Sequence, residues 1–409
     1  RFVDFNDMVM LKEHILDLPG VIFSEVPART HVSDVNLSHV LGYVRLVDSQ
    51  RKAMLNHPDS LFKYSHGDVY GFSGLEKNYE SFLRGGNGAQ YRLIDYRGVD
   101  QGVFNEKDGR DVINGPPLVT SIDVNLQRIA EDFLVDSVGA IICMNPNNGE
   151  ILAFASSPNF DLKPFNKGPV PKKIWDEWNS DPNNPLLNRP VSGQYPPGSV
   201  FKLVTAALIL KSGKEKIKYN CEGEYQITKD VTKKCWNASG HGELNLKDAL
   251  INSCNVYFYN TGVGAGVEQI HKYAKLFRLG KITGMGLHNE KAGTIPNNEW
   301  KIANLKEPWY EGETPVASIG QGYITTTPMQ VINLINILVN NGLWMPPSLF
   351  KEQKGLKPQQ IPLKEEYLSL IREGMVAVVN SPGGTAKKVK FEEFTVAGKT
   401  ATSQVISHK

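Results

Sequence analysis

One stretch limits the fold more than any other: QYPPGSVFKLVTAALIL, residues 194–210. Two prolines and a glycine stand just before Ser199, which is how a turn hands over to a helix. From Phe201 to Leu210 nearly every position is apolar, so a helix here has no face to give to water and is expected to be buried on all sides. Ser199 and Lys202 are three residues apart and share one helix face. A lysine inside a buried helix is costly unless it is paired or partly neutralised. Catalysis is one reason for a chain to carry that cost.

At 409 residues the chain has room for two or three domains. Its 41% hydrophobic and 22% charged content is that of an ordinary globular protein. A net charge of +2 gives no electrostatic reason to expect a nucleic-acid partner. No run of about 18 apolar residues is present, so no segment reads as membrane-spanning. No signal peptide is visible, and the start at RFVDFNDM without a Met reads as that of a processed or truncated fragment.

Up to about residue 115, short apolar runs alternate with polar loops, which reads as an irregular, strand-rich module. NGPPLVTSIDVNLQ then supplies a turn, a short strand and a helix start, a natural boundary. GAIICMNPNNGEILAFASSP reads as a β-hairpin around an NPNNG turn, with Cys143 as a buried strand residue. Helical patterns follow at 199–211, 245–260, 267–277 and 327–341, and a late strand is expected at 394–406. The alternating glycines of TGVGAGVEQ do not have phosphate-loop spacing and read as a helix-to-helix turn. The tryptophans of KKIWDEWNSDP read as an amphipathic segment packed beside the cleft. Strands at both ends with helices between them indicate an α+β domain whose sheet is closed by distant segments.

Three short motifs lie in order in the second part of the chain. They are Ser199-Val200-Phe201-Lys202, Ser253-Cys254-Asn255 and Lys399-Thr400-Ala401-Thr402. S-x-x-K, S-x-N and K-T-G together are the set of serine β-lactamases and penicillin-binding proteins. Each alone is weak, but the order and the buried helix strengthen the match. So do YPPGSVFK, GFSGLEKNYESFLRG, GEILAFASSPNFD, GHGELNLKDALINSCNVYFY, ASIGQGYITTTPMQ and GGTAKKV. Over residues 19–409 the chain resembles class B penicillin-binding proteins of the elongation type (penicillin-binding protein 2). The resemblance implies a non-catalytic pedestal or dimerisation-type module at 1–115. It implies a serine transpeptidase (β-lactamase-like) domain at 116–409, with a central antiparallel sheet flanked by helices.

It also implies roles. Ser199 would be the nucleophile and Lys202 its base, since a serine hydroxyl attacks poorly until a neighbour removes its proton. Ser253 would relay a proton, Asn255 would bind the substrate amide, and Lys399 with Thr400 would meet the carboxylate of a terminal D-alanine. The N–H groups of Ser199 and Thr402 would form the oxyanion hole. Ala401 departs from the usual glycine, and on a strand its methyl would share the side of Lys399. Relatives continue beyond this motif with further strands and a helix, so C-terminal strands are expected to be missing from the chain as it stands. Lys281-Ile282-Thr283-Gly284 looks like K-T-G but carries an inserted residue and reads as a loop.

Cys221, Cys235, His241 and Cys254 have the spacing C-x13-C-x5-H-x12-C. Three thiolates and an imidazole are a closed tetrahedral zinc set, and some elongation-type relatives carry zinc in this region. Asp230 is a further oxygen ligand to consider. A Cys221–Cys235 disulfide, favoured by an extracytoplasmic compartment, and free thiols stay open as rivals. No cofactor is expected for the chemistry itself.

The implied function is a peptidoglycan D,D-transpeptidase of cell-wall elongation, acting on D-Ala-D-Ala stem peptides and trapped by β-lactams. A RodA-type glycosyltransferase and an MreC-type scaffold are the implied partners. The implied location is the bacterial inner membrane, with the catalytic domain in the periplasm and an N-terminal anchor absent from this chain. Three alternatives accompany it: a scaffold that activates a glycosyltransferase with weak catalysis of its own, a β-lactam sensor, and a β-lactamase.

Overall fold

The computed structural model describes residues 5–18, 21, 29–31, 34–55, 63–65, 68–96, 100–105, 109–167, 170–351, 355 and 357–403. The chain forms two compact units. The first comprises 1–120, 158–186 and 286–288, and the second comprises 121–157, 187–285 and 289–409. A boundary near 120 follows the turn seen in the sequence, but 158–186 joins the first unit although the sequence reading gave it to the second.

Strands in the first unit are short. Val44–Leu46 pairs antiparallel with Val69–Gly71, and Arg92–Ile94 pairs with Asp100–Val103. Short helices, among them Ser38–Leu41 and Gly74–Asn78, are as prominent, so the module is mixed and not strand-rich. Its core is aromatic. Tyr43, Phe160, Leu162 and Phe165 are buried, with Phe72, Trp175 and Trp178 packed against them. Tyr43 stacks on Phe165 at 4.1 Å between ring centroids, and the Arg45 guanidinium lies 3.6 Å from the centre of the Phe72 ring. The helix Lys172–Ser180 therefore buries its tryptophans in this core. That corrects its expected place beside the cleft: two indoles one turn apart form an apolar stripe, and the aromatic cluster is what accepts it.

The second unit is built around the helix Lys202–Lys211, in which every residue from Lys202 to Leu210 is buried. The helices Leu246–Ile251, Asn255–Ala265, Val267–Leu276 and Glu365–Asn380 surround it, and Phe201, Leu203, Phe258, Phe277 and Leu368 meet in the shared core. Truncating one such aromatic to alanine costs about 3–5 kcal/mol. The expected hairpin is present, with Gly139–Met144 antiparallel to Ile151–Ser157. The helix Val124–Phe133 packs Ala130 against Ala153 and Ala155 of this hairpin. The helices Arg189–Ser192 and Pro328–Val339 also pack on it. Cys143 is only half-buried there, not fully buried as expected.

Two elements differ from the sequence reading. The pattern 245–260 is broken into two helices at Asn252–Cys254. The strand expected at 394–406 is not formed over 394–403, and Gln404–Ile406 lie outside the described residues. A strand exists through its ladder, and here the backbone groups are spent elsewhere. Gly398 N donates to Met375 O, Val396 O accepts from Asn380 Nδ2, and Thr402 O accepts from Gln321 Nε2. Among the described residues the antiparallel sheet of this unit is thus reduced to separate two-stranded pairs. No described helix is long and apolar enough to cross a membrane.

Candidate active site

Ser199 lies in a 3-10 turn, Gly198–Phe201, that runs directly into the buried helix. Gly198 has φ +55°, and a Cβ there would sit 2.6 Å from the Thr402 carbonyl oxygen. Only glycine allows that approach. Its N–H donates to Gly320 O at 3.0 Å, which ties the turn to the SIGQGY segment. The Ser199 hydroxyl is half-exposed and makes no hydrogen bond among the described residues.

Lys202 is completely buried. Its Nζ donates to Ser253 O at 2.7 Å and to Asn255 Oδ1 at 2.7 Å, and lies 3.3 Å from Ser253 Oγ. Lys399 reaches the same hydroxyl from the other side, at 2.8 Å, and also donates to Thr400 O. Burial, and then the positive charge of Lys399, lowers the Lys202 pKa to about 7. Burial alone lowers that of Lys399 to about 8. Near neutrality a substantial fraction of Lys202 is therefore a free amine beside a lysine that is still charged.

Ser253 owes its position to a helix-ending device. Cys254 N bonds to Ala249 O at 3.0 Å and Ser253 N to Leu250 O at 3.2 Å. This is the Schellman pattern, whose left-handed residue is usually glycine. Here it is Ser253, at φ +50° and buried. The next helix then begins at Asn255, so the break turns both polar side chains of S-x-N toward Lys202.

The structure thus brings Lys202, Ser253, Asn255 and Lys399 into one network. Thr400 is met by Thr385, with their Oγ1 atoms 2.8 Å apart. Ala401 is exposed and, without a strand, has no fixed side relative to Lys399. Two residues had no role in the sequence reading. Gln321 holds the Thr402 carbonyl at 2.9 Å, and Thr385 holds the Thr400 hydroxyl. Both lie in stretches that mark the family resemblance, ASIGQGYITTTPMQ and GGTAKKV, but spacing alone gave neither a partner. Lys281–Gly284 is a loop, in which the Thr283 hydroxyl donates to Glu290.

The ligand atoms of Cys221, Cys235, His241 and Cys254 all lie within 4.8 Å of one another. His241 Nδ1 is 3.5 Å from Cys221 Sγ and 3.6 Å from Cys235 Sγ. A tetrahedral zinc with ordinary Zn–S and Zn–N bonds sets sulfur and nitrogen about 3.6 Å apart. The donor set and its spacing therefore fit one such ion. All four cysteines are free thiols, so the Cys221–Cys235 disulfide is not formed. The Cys235 thiol is pulled down to about 4, chiefly by the hydrogen bond from Cys254, whose own pKa is raised. Asp230 is exposed in the turn after Glu224–Thr228 and is not part of the group. Two hydrogen bonds join the cysteine loop to the network: Trp236 Nε1 donates to Asn252 O at 2.9 Å, and Asn255 Nδ2 to Lys234 O at 3.4 Å.

Comparison with known proteins places this geometry. The penicillin binding protein transpeptidase domain matches residues 139–409. The chain belongs to the penicillin-binding protein transpeptidase family. Residues 1–120 match the penicillin-binding protein dimerisation domain. The peptidoglycan D,D-transpeptidase MrdA of Escherichia coli K12 is 31% identical over 407 residues, 96% of this chain and 63% of that protein. The chain spans about three-fifths of the length of the curated relatives it matches. Among solved structures, penicillin-binding protein 2 of Helicobacter pylori in complex with MreC superposes with a TM-score of 0.87 at 29% identity, covering 99% of this chain and 75% of that one. Pseudomonas aeruginosa PBP2 in complex with WCK 5153 gives 0.77 at 30%, covering 93% and 82%.

Proposed function

We propose that the chain is a serine D,D-transpeptidase that cross-links peptidoglycan stem peptides through an acyl-enzyme on Ser199. One observation carries the reading: a buried lysine, one helical turn after a serine, whose Nζ is held by Ser253 and Asn255. A neutral amine has two N–H groups and one lone pair. The Ser253 carbonyl and Asn255 Oδ1 only accept, so they engage both N–H groups and leave the lone pair to take a proton.

Lys202 removes the Ser199 proton as Oγ bonds to the carbonyl carbon of the penultimate D-alanine. The N–H groups of Ser199 and Thr402 stabilise the oxyanion. Ser253, between Lys202 and Lys399, passes the proton to the departing D-alanine amine as the C–N bond breaks. Lys399 and Thr400 hold the terminal carboxylate. An acceptor amine then attacks the ester carbonyl, and Ser199 leaves with its proton restored. Diaminopimelate and lysine both suit the acceptor role. A β-lactam enters the first step, and its tethered leaving group blocks the second.

A zinc ion held by Cys221, Cys235, His241 and Cys254 would brace the S-x-N wall, because Cys254 is the residue between Ser253 and Asn255. It would supply structure and no reaction step. The dimerisation-domain match and the Helicobacter pylori complex support an MreC-type scaffold as a partner. A RodA-type glycosyltransferase and a periplasmic position beside the inner membrane complete the reading.

The test is a fluorescent penicillin with intact-mass analysis of wild type and Ser199→Ala. One adduct on the wild type, lasting many minutes and absent from the variant, is expected. Rapid loss of the adduct would mean a β-lactamase. The unpaired Lys399 segment favours a second reading, a scaffold with weak chemistry. Absence of any adduct, with retained scaffold binding, would put that reading first.

A further inference from the structure

The helix Glu365–Asn380 ends in a loop, 381–386, that returns onto the helix. Gly384 N donates to Ser381 O and Ala386 N to Val378 O. Gly384 sits so close that a Cβ would lie 2.2 Å from Val378 O. This tight return delivers the Thr385 hydroxyl to Thr400, Oγ1 to Oγ1 at 2.8 Å. That is the one hydrogen bond of the Thr385 hydroxyl among the described residues. The same helix holds the backbone on either side of Lys399 only through Met375 O and Asn380 Nδ2. Thr385 is thus the contact that fixes a side chain of this segment and not just its path.

A threonine hydroxyl carries one proton and can donate once. Of two hydroxyls in contact, one donates and the other accepts. An anion beside Thr400 needs the Thr400 proton, which is available only if Thr385 is the donor between them. We infer that Thr385 is a positioning residue for carboxylate recognition: it donates to Thr400 Oγ1 and so commits the Thr400 proton to the carboxylate of the donor peptide or of a penicillin. The inference rests on the transpeptidase reading above. It concerns orientation, and Thr385 itself need not touch the ligand.

The experiment compares wild type, Thr385→Val and Thr385→Ser in acylation by benzylpenicillin and by its methyl ester, which lacks the anion. Second-order rate constants are read by intact mass. Valine keeps the shape and removes the proton. With the acid, Thr385→Val should be about fivefold to tenfold slower, the size of one hydrogen bond to a charged group. With the ester it should stay within about twofold of wild type, and Thr385→Ser should restore both rates. Equal loss on acid and ester would assign Thr385 a purely structural role and overturn the inference, as would no loss on either. A wild type that neither compound acylates would overturn the transpeptidase reading instead, and this inference with it.

Discussion

Lys202 Nζ lies 2.7 Å from the backbone oxygen of Ser253, a residue 51 positions later in the chain. That oxygen points at the lysine because Ser253 adopts a left-handed conformation at the end of a helix. A backbone acceptor cannot be titrated away or rotated aside, so Lys202 stays aimed whatever its protonation state. The nucleophile's base is therefore oriented by a helix terminus, and Asn255 at the start of the next helix completes its coordination.

Acylation requires Lys202 neutral and Lys399 charged. With pKa values lowered to about 7 and about 8, the rate constant for penicillin should rise through pH 7 and fall above pH 8. These steps belong to the coupled pair and not to either lysine alone. Lys399→Arg should lose the descending limb, since arginine stays charged. A profile that is flat from about pH 6 to 9 would sink the assignment.

The same shift affects stability. Lys202 titrates near 7 in the folded state against 10.5 unfolded. Between those values the unfolded chain binds more protons, so stability rises with pH. Urea unfolding of Lys202→Met, measured from pH 7 to 9, should show a weaker rise than wild type. An equal rise in both proteins would mean that Lys202 is not the group responsible.

Ser253 occupies a site built for glycine. Ser253→Gly and Ser253→Ala both lose the hydroxyl, and both should acylate at least about 100-fold more slowly. They should differ in stability: the glycine variant should be about 1 kcal/mol more stable than the alanine variant, because only alanine retains the cost of φ +50°. Denaturant titration checks this. Equal stabilities would show that the turn is unstrained.

Gln321 holds the Thr402 carbonyl, and Thr402 is the residue whose N–H is assigned to the oxyanion hole. Gln321→Glu keeps the size and loses the donor. It should slow acylation about tenfold with little change in unfolding midpoint, since one charge-stabilising contact is worth of that order. A midpoint drop that parallels the rate loss would indicate a general packing role.

The cysteine cluster should bind one zinc per chain, measured by elemental analysis of protein refolded with and without the metal. Cys235→Ser and His241→Ala should lose it, and the thermal midpoint should fall by roughly 5 °C or more because the ion binds only the folded state. Zinc-free wild type with the same midpoint would leave the cluster as four packed side chains.

Much of this site was legible in the residue order. An apolar run behind Pro-Pro-Gly can only be a central helix, so Ser199 and Lys202 had to enter a core together. The C-x13-C-x5-H-x12-C spacing already marked the four side chains that meet around His241. What the periodicity could not register was a break in its own pattern. Residues 245–260 read as one helix because Asn252, Ser253 and Cys254 carry no glycine or proline, yet the left-handed Ser253 splits them. Alternation likewise predicted a strand through Lys399, but a strand needs a partner, and the backbone groups there went to Met375, Asn380 and Gln321.

The sequence by itself determined which side chains were too costly to bury without a reason, the helix that buries them, and the chemistry their types permit. Tertiary structure alone decided who meets whom. The contacts of Lys202 with Ser253, of Thr385 with Thr400 and of Gln321 with Thr402 join helix ends and loops 15 to 81 positions apart. Local propensity acts over a few residues, whereas such contacts are selected by the packing of the whole core.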